Sequence, residues 1–260
     1  MNRRSFILAS MAASPLTSST PPLPDQKSRA WFELRFYHLR NDLERLRLDA
    51  LLKVAYLFVS KRVGNRPVGF FDVSVGPEQP LLIVLTSYPS LAAMETALDK
   101  IAKDDSWNKA LDQFDRDKAM AYTRIESRLL RAFSSVPALE IPALKPGQAP
   151  HIFELRIYEA RNMRASETKI KMFDDDEVTI FRRCGLLPVF FGQTVIGPGL
   201  PSLTYMVAYE SIEAREEAWR KFLSDPDWMK LRAKPEFADR EIVSNIHSYL
   251  LRPTNYSPIR

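Results

Sequence analysis

The sequence predicts an α+β protein: two ferredoxin-like βαββαβ modules in tandem, packed sheet to sheet within one chain as an α/β-barrel with helices outside. Three observations predict it. A hexapeptide and a long series of single positions recur at one constant offset, each half reads strand, helix, strand, strand, helix, strand, and a proline-rich stretch separates the halves.

The offset is 121 residues, carrying Phe32-Glu33-Leu34-Arg35-Phe36-Tyr37 onto Phe153-Glu154-Leu155-Arg156-Ile157-Tyr158. The same shift maps Arg40-Asn41 onto Arg161-Asn162, Gly64 onto Gly185, Pro67 onto Pro188, Gly76-Pro77 onto Gly197-Pro198, Tyr88 onto Tyr209 and Trp107 onto Trp228. It ends with Leu129-Leu130-Arg131 on Leu250-Leu251-Arg252. A register held without gaps over so long a span marks a duplicated domain.

The boundaries follow. Residues 1–30 are a leader and spacer, 31–133 the first module, 134–150 a linker carrying Pro137, Pro142, Pro146, Gly147 and Pro150, and 151–260 the second module. In the second module, Phe153 to Tyr158 alternates apolar and polar residues as a half-buried strand does. Ile170, Phe173, Glu177, Ile180, Phe181 and Cys184 then recur at helical steps, and Gly185 supplies a stop. Pro188 to Ile196 and Leu203 to Tyr209 read as a hairpin split by Gly197-Pro198-Gly199. Ser211 caps a helix whose inward face carries Ile212, Trp219, Phe222 and Leu223. Asp225-Pro226-Asp227-Trp228 starts a shorter helix, and Ile242 to Leu251 closes the module as a fourth strand. Helices on one sheet face leave the other face apolar and open, so each module is expected to cover its sibling.

Composition excludes several classes. The charge of +5 includes Arg3 and Arg4, and the remaining basic residues occur in pairs rather than in the clusters that track phosphates, so no nucleic-acid partner is expected. Nothing approaches the roughly 20 apolar residues of a membrane span. The single Cys184 permits no intramolecular disulfide and reads as a buried thiol. Only 8 glycines, with no phosphate-cradling loop, nucleophile elbow or dinucleotide fingerprint, leave no cofactor to expect.

Arg3-Arg4 directly before the short apolar run Phe6 to Ala13 resembles a twin-arginine export signal, which implies a folded protein delivered to the periplasm or cell envelope.

The strand pattern F-E-L-R-x-Y, the hairpin from Gly197 to Tyr209, D-P-x-W at Asp225 to Trp228 and the ending L-R-P-x-x-Y-S at Leu251 to Ser257 together resemble the NIPSNAP family over residues 31–260. The resemblance implies the dimeric α/β-barrel fold with both halves in one chain. It brings no established catalytic residues. Its better-known members are mitochondrial proteins described in vesicle trafficking and quality control, a poor guide for a chain with a bacterial leader. The first module departs from the pattern: Asp104-Asp105-Ser106-Trp107 lacks the proline, and its helix from Leu43 to Val63 is far more apolar than its counterpart.

Few residues could carry chemistry. Glu177 sits on an apolar helical stripe where the first module has Tyr56, and a desolvated carboxylate there is a candidate acid or base, or else an edge residue paired with an arginine. His247 on the last strand, at the position where the first module has Glu126, is the second catalytic candidate and a conceivable haem ligand. Tyr205, Tyr209, Phe181 and Trp219 are the candidate ligand-binding residues. His38 and His151 show no metal-ligand spacing, so no metal is expected. Glu33, Arg35, Glu154 and Arg156 are expected to face one another across the barrel as an ion-pair network, and Asp174-Asp175-Asp176 to form a solvated face. The reading leans to a protein without catalysis that binds a small apolar ligand or an envelope partner, with homo-oligomers allowed. The rival is a cofactor-independent oxygenase or isomerase acting on a small aromatic substrate in the second module's cleft.

Overall fold

The structure, a computed structural model, describes residues 28–64, 68–116 and 118–260; the leader and Pro67 lie outside the described residues. Eight strands are described: β1 Trp31–His38, β2 Val68–Val75, β3 Leu81–Tyr88, β4 Arg124–Ala132, β5 Ile152–Glu159, β6 Leu187–Ile196, β7 Ser202–Tyr209 and β8 Asn245–Pro253. They close in the order β1-β3-β2-β8-β5-β7-β6-β4, and every pairing is antiparallel.

The expected barrel is present, and its closure is hydrogen-bonded. Ladders β2–β8 and β4–β6 join the modules edge to edge, so neither module keeps an unpaired sheet edge. Each of these seams carries a bulge, between Val73 and Val75 and between Leu129 and Leu130. Bulges bend a strand and sharpen its twist, which a sheet needs in order to close. Phe32, Leu34, Phe36 and Phe71 meet Phe153, Leu155, Phe190 and Met206 inside, each at most 4% exposed. Burying an aromatic or branched side chain in this way contributes about 1.5–3 kcal/mol.

The helices lie outside. In the first module α1 Asp42–Leu51 runs through a π-helical turn, Leu52–Tyr56, into α2 Leu57–Arg62; α3 Leu91–Ala102 and α4 Asp105–Arg116 follow β3. In the second, α5 Met163–Met172 runs through the π-helical turn Phe173–Glu177 into α6 Val178–Cys184. After β7 come α7 Ile212–Ser224, α8 Pro226–Arg232, a 3-10 turn and α9 Asp239–Ile242. The repeated asparagines explain themselves: Asn41 and Asn162 cap the long helices by accepting from Glu44 N and Ala165 N, and Ser90 and Ser211 cap the second helices in the same way. Gly185, at φ +92, ends α6 in the left-handed conformation expected of it.

Three expectations need correction. Leu223 is 52% exposed, and Ala218 rather than Leu223 joins Phe222 on the buried face of α7, because residues four apart share a helix face while the next residue is turned about 100° away. Ile242 belongs to α9, so β8 begins at Asn245. Glu33, Arg35, Glu154 and Arg156 point away from the barrel axis into their own helix layers; the strand period gives the interior to Leu34, Phe36, Phe153 and Leu155 instead.

The segment 134–150 forms neither helix nor strand, as its prolines predict. Its first part is nevertheless docked. Phe133 N, just before it, and Glu140 N donate to Phe191 O and Val189 O, Val136 is fully buried, and Leu139 packs against the barrel core.

Candidate functional site

The second module's helix layer holds a polar centre that the first lacks. Lys169 on α5 reaches Glu177 in the π-helical turn, Nζ to Oε2 at 3.0 Å, and both side chains are 3% exposed. At the equivalent positions the first module has Leu48 and Tyr56. Tyr158, Phe173 and Trp228 surround the ammonium, their ring centroids 5.8, 4.7 and 5.7 Å from Nζ. The desolvation expected for Glu177 is real, and a buried lysine accompanies it.

Beside this pair, Tyr158 and Tyr205 share a hydrogen bond at 3.1 Å between hydroxyls. Burial pushes both phenols above their ordinary range, Tyr205 well above it, so neither supplies a phenolate near neutrality. Arg156 lies with its guanidinium carbon 5.4 Å from the Tyr158 ring centroid and 4.9 Å from that of Trp219. Burial pulls its pKa down, but its neighbours Tyr205, Tyr158 and Glu154 together raise it above the ordinary value.

Glu154 is the hub of the layer. It accepts from Arg215 Nε at 2.8 Å, Trp219 Nε1 at 2.9 Å, Tyr209 Oη at 3.2 Å, Arg156 Nη1 at 3.2 Å and Ser248 Oγ at 3.1 Å. Burial raises its pKa, but the bonds from Arg215 and Trp219 outweigh burial and hold the carboxyl below its ordinary value. A carboxylate with so many donors is a locked anion rather than a proton acceptor. In the first module Glu33 keeps a smaller set: Arg35, Tyr88 and Ser127.

The four aromatic candidates thus gather in one cluster. Phe181 touches Tyr205, Trp219 and Phe222 at centroid distances of 5.8, 5.8 and 4.8 Å; Tyr205 stacks on Phe191 at 4.9 Å; and Tyr209 bonds to Glu154. Phe181, Tyr205 and Tyr209 are at most 1% exposed, so they form the wall and the filling of the layer at once.

Family comparison settles the resemblance. The NIPSNAP family model matches residues 32–137 and again 153–258. The chain belongs to the NIPSNAP family. No curated protein matches it by sequence. Among solved structures it resembles a candidate monooxygenase from Lactobacillus acidophilus NCFM, at 10% identity and TM-score 0.58 over 86% of this chain and 94% of that one. An anthrone oxidase-like protein gives 9% identity and TM-score 0.54 over 88% and 93%. A NIPSNAP protein from Agrobacterium tumefaciens str. C58 gives 25% identity and TM-score 0.38 over 42% of this chain and 99% of that one. The first two likenesses extend to the whole barrel and concern its fold.

In this NIPSNAP chain the two catalytic candidates do not share a site. His247 faces the barrel mouth, in register with the interior residue Ile157, and its Nε2 lies 3.2 Å from Glu159 Oε1. Glu177 lies in the helix layer outside the sheet. Cys184 is buried and free, its thiol pushed up by burial and by Asp225. Asp174 departs from the expected solvated face, since it accepts from the backbone and hydroxyl of Ser135 in the linker, while Asp175 and Asp176 are exposed.

Sequence reasoning missed Lys169 and the Glu154 hub. A position-by-position comparison of the modules carries the first signal, Leu48 against Lys169 and Tyr56 against Glu177. Outside the layer, a hollow of about 350 Å³ opens between α6 and α8, lined by Asp176, Thr179, Arg183, Asp227, Lys230 and Lys234 among others.

Proposed function

We propose that this NIPSNAP chain is an exported, non-catalytic binding protein that takes a protein partner on the helix surface of its second module. One observation carries the reading: Glu177, the carboxylate placed for chemistry in the helix layer, is paired with Lys169 and both are 3% exposed, while a hollow open to solvent beside that layer is lined by charged side chains. A hollow edged by Lys230, Lys234, Asp176 and Asp227 suits a polar peptide segment better than a small apolar ligand. Export rests on Arg3-Arg4 before the apolar run.

The test uses the full chain expressed with its leader, cross-linked in the cell envelope, beside a Lys230→Glu, Lys234→Glu variant. The reading expects a defined envelope protein cross-linked to the parent and lost from the variant, with both recovered in the periplasmic fraction. Identical cross-links from both forms, or retention of the parent inside the cell, overturns it.

A second reading is favoured by the Tyr158–Tyr205 pair beside Arg156 and by the barrel's likeness to proteins described as a candidate monooxygenase and anthrone oxidase-like. In that reading the layer opens to admit an aromatic substrate and Glu177 acts as base. Oxygen uptake with an anthrone, abolished by Glu177→Gln, supports it; no uptake with the parent removes it.

A further inference from the structure

The barrel mouth at the C-terminal ends of β1 and β5 carries a cluster that neither reading uses. β1 and β5 run in the same direction, so their last interior-facing residues, His38 and Glu159, rim one mouth. Each has a partner two positions along the neighbouring strand: His38 meets Glu126, and Glu159 meets His247. The modules therefore keep a histidine–carboxylate pair at the same place with the two residue types exchanged. The interior just below is polar on the second module's side, where Thr194, Ser202 and Thr204 have buried hydroxyls without hydrogen-bond partners; the first module has Val73, Leu81 and Ile83 there.

The two pairs differ in one respect. His247 Nε2 has two partners, the Asn245 amide nitrogen at 2.9 Å and Glu159 Oε1 at 3.2 Å. His38 Nδ1 lies 3.1 Å from Glu78 Oε2, within ion-pair distance. His38 Nε2 lies 3.4 Å from Glu126 Oε1 and makes no hydrogen bond, on a residue 7% exposed. Ligand atoms of His38, Glu78 and Glu126 all lie within 4.8 Å of one another. A buried ring nitrogen without a partner beside two carboxylates can be satisfied by a cation held among them. The separation suits one: donors bonded at about 2.0–2.1 Å to a tetrahedral zinc stand roughly 3.3–3.4 Å apart.

We propose that His38 and Glu126 bind a first-row divalent cation of the zinc class at the barrel mouth, with water completing its shell. Glu78 orients the imidazole by accepting from Nδ1, the carboxylate–histidine–metal relay that fixes the tautomer. Arg124 is the built-in competitor. Its guanidinium reaches Glu78 Oε2 and Glu126 Oε1 at 2.9 Å each, and with its side chain 53% exposed it can swing to solvent when a metal arrives. The three residues come from β1, the β2–β3 turn and β4, which is why no spacing along the chain announces them.

The experiment is calorimetric titration of the tag-free full chain with zinc chloride, repeated with cobalt chloride and read by visible absorption. One saturable equivalent is expected in the parent and in His247→Ala. His38→Ala and Glu126→Gln lose it, Glu78→Gln weakens it about tenfold, and Arg124→Ala tightens it. Glu126→Gln and Arg124→Ala alter exposed side chains and keep the fold, as far-ultraviolet circular dichroism checks. No saturable binding by the parent, binding unchanged in both His38→Ala and Glu126→Gln, or binding weakened by Arg124→Ala overturns the proposal.

Discussion

Lys169 Nζ stands 3.0 Å from Glu177 Oε2 with both side chains sealed from water, at two positions where the first module packs Leu48 against the turn holding Tyr56. Removing one partner strands a buried charge, at a cost of about 3–5 kcal/mol. Lys169→Leu alone and Glu177→Gln alone are therefore expected to lower the stability in urea by that order, with little change in the slope of the transition.

The Glu154 hub predicts an acid-side dependence. Its folded pKa lies below the ordinary 4.5, so the stability it supplies is present above that value and is lost as the pH falls through the folded pKa. Stability measured between pH 7 and pH 3 should drop on the acid side in the parent. In Glu154→Gln the protein is weaker at pH 7 and the drop is shallower. Equal slopes in the two proteins contradict the assignment.

Gly185 ends α6 at φ +92, where a side chain is strained even though the nearest atom to an added Cβ, that of Ala218, is 3.7 Å away. Gly185→Ala is expected to cost about 1–2 kcal/mol through backbone conformation. Thermal unfolding reads the loss.

Barrel closure predicts the behaviour of a single module. Residues 151–260 alone expose the edges of β6 and β8 and the inner faces of Phe153, Leu155, Phe190 and Met206. Sedimentation should find a self-paired dimer or larger species. A stable monomer would show that the seams contribute little.

Much of the fold is legible in the sequence because it depends on local periodicity and on repetition. The offset of Phe32 onto Phe153, the cap at Ser211 and the stop at Gly185 are short-range signals, and the structure has all of them where expected; the repeated Asn41 and Asn162 prove to be caps as well. The sheet face that Glu154 and Arg156 occupy was not legible. Period 2 separates two faces of a strand without saying which is inside, and here the apolar face has the barrel while the polar face is buried as well, under α7. Glu177 was legible as a carboxylate on an apolar stripe. Lys169 was not, because on a helical wheel it sits at the edge of that stripe, and only the π-helical turn and Tyr158, Phe173 and Trp228 fold over it. His38, Glu78 and Glu126 meet only once three separate elements are assembled.

The most direct test of a sealed, structural centre is a double substitution that gives the second module the first module's residues, Lys169→Leu with Glu177→Tyr, compared with each single change in urea. Tyr56 packs against Phe70 and Trp107, and Phe191 and Trp228 wait at the equivalent places for a tyrosine at 177. The account predicts that the double variant recovers the stability both singles lose and keeps every partner contact of the parent. A double variant as unstable as the singles, or one that folds well and loses partner binding, would contradict it.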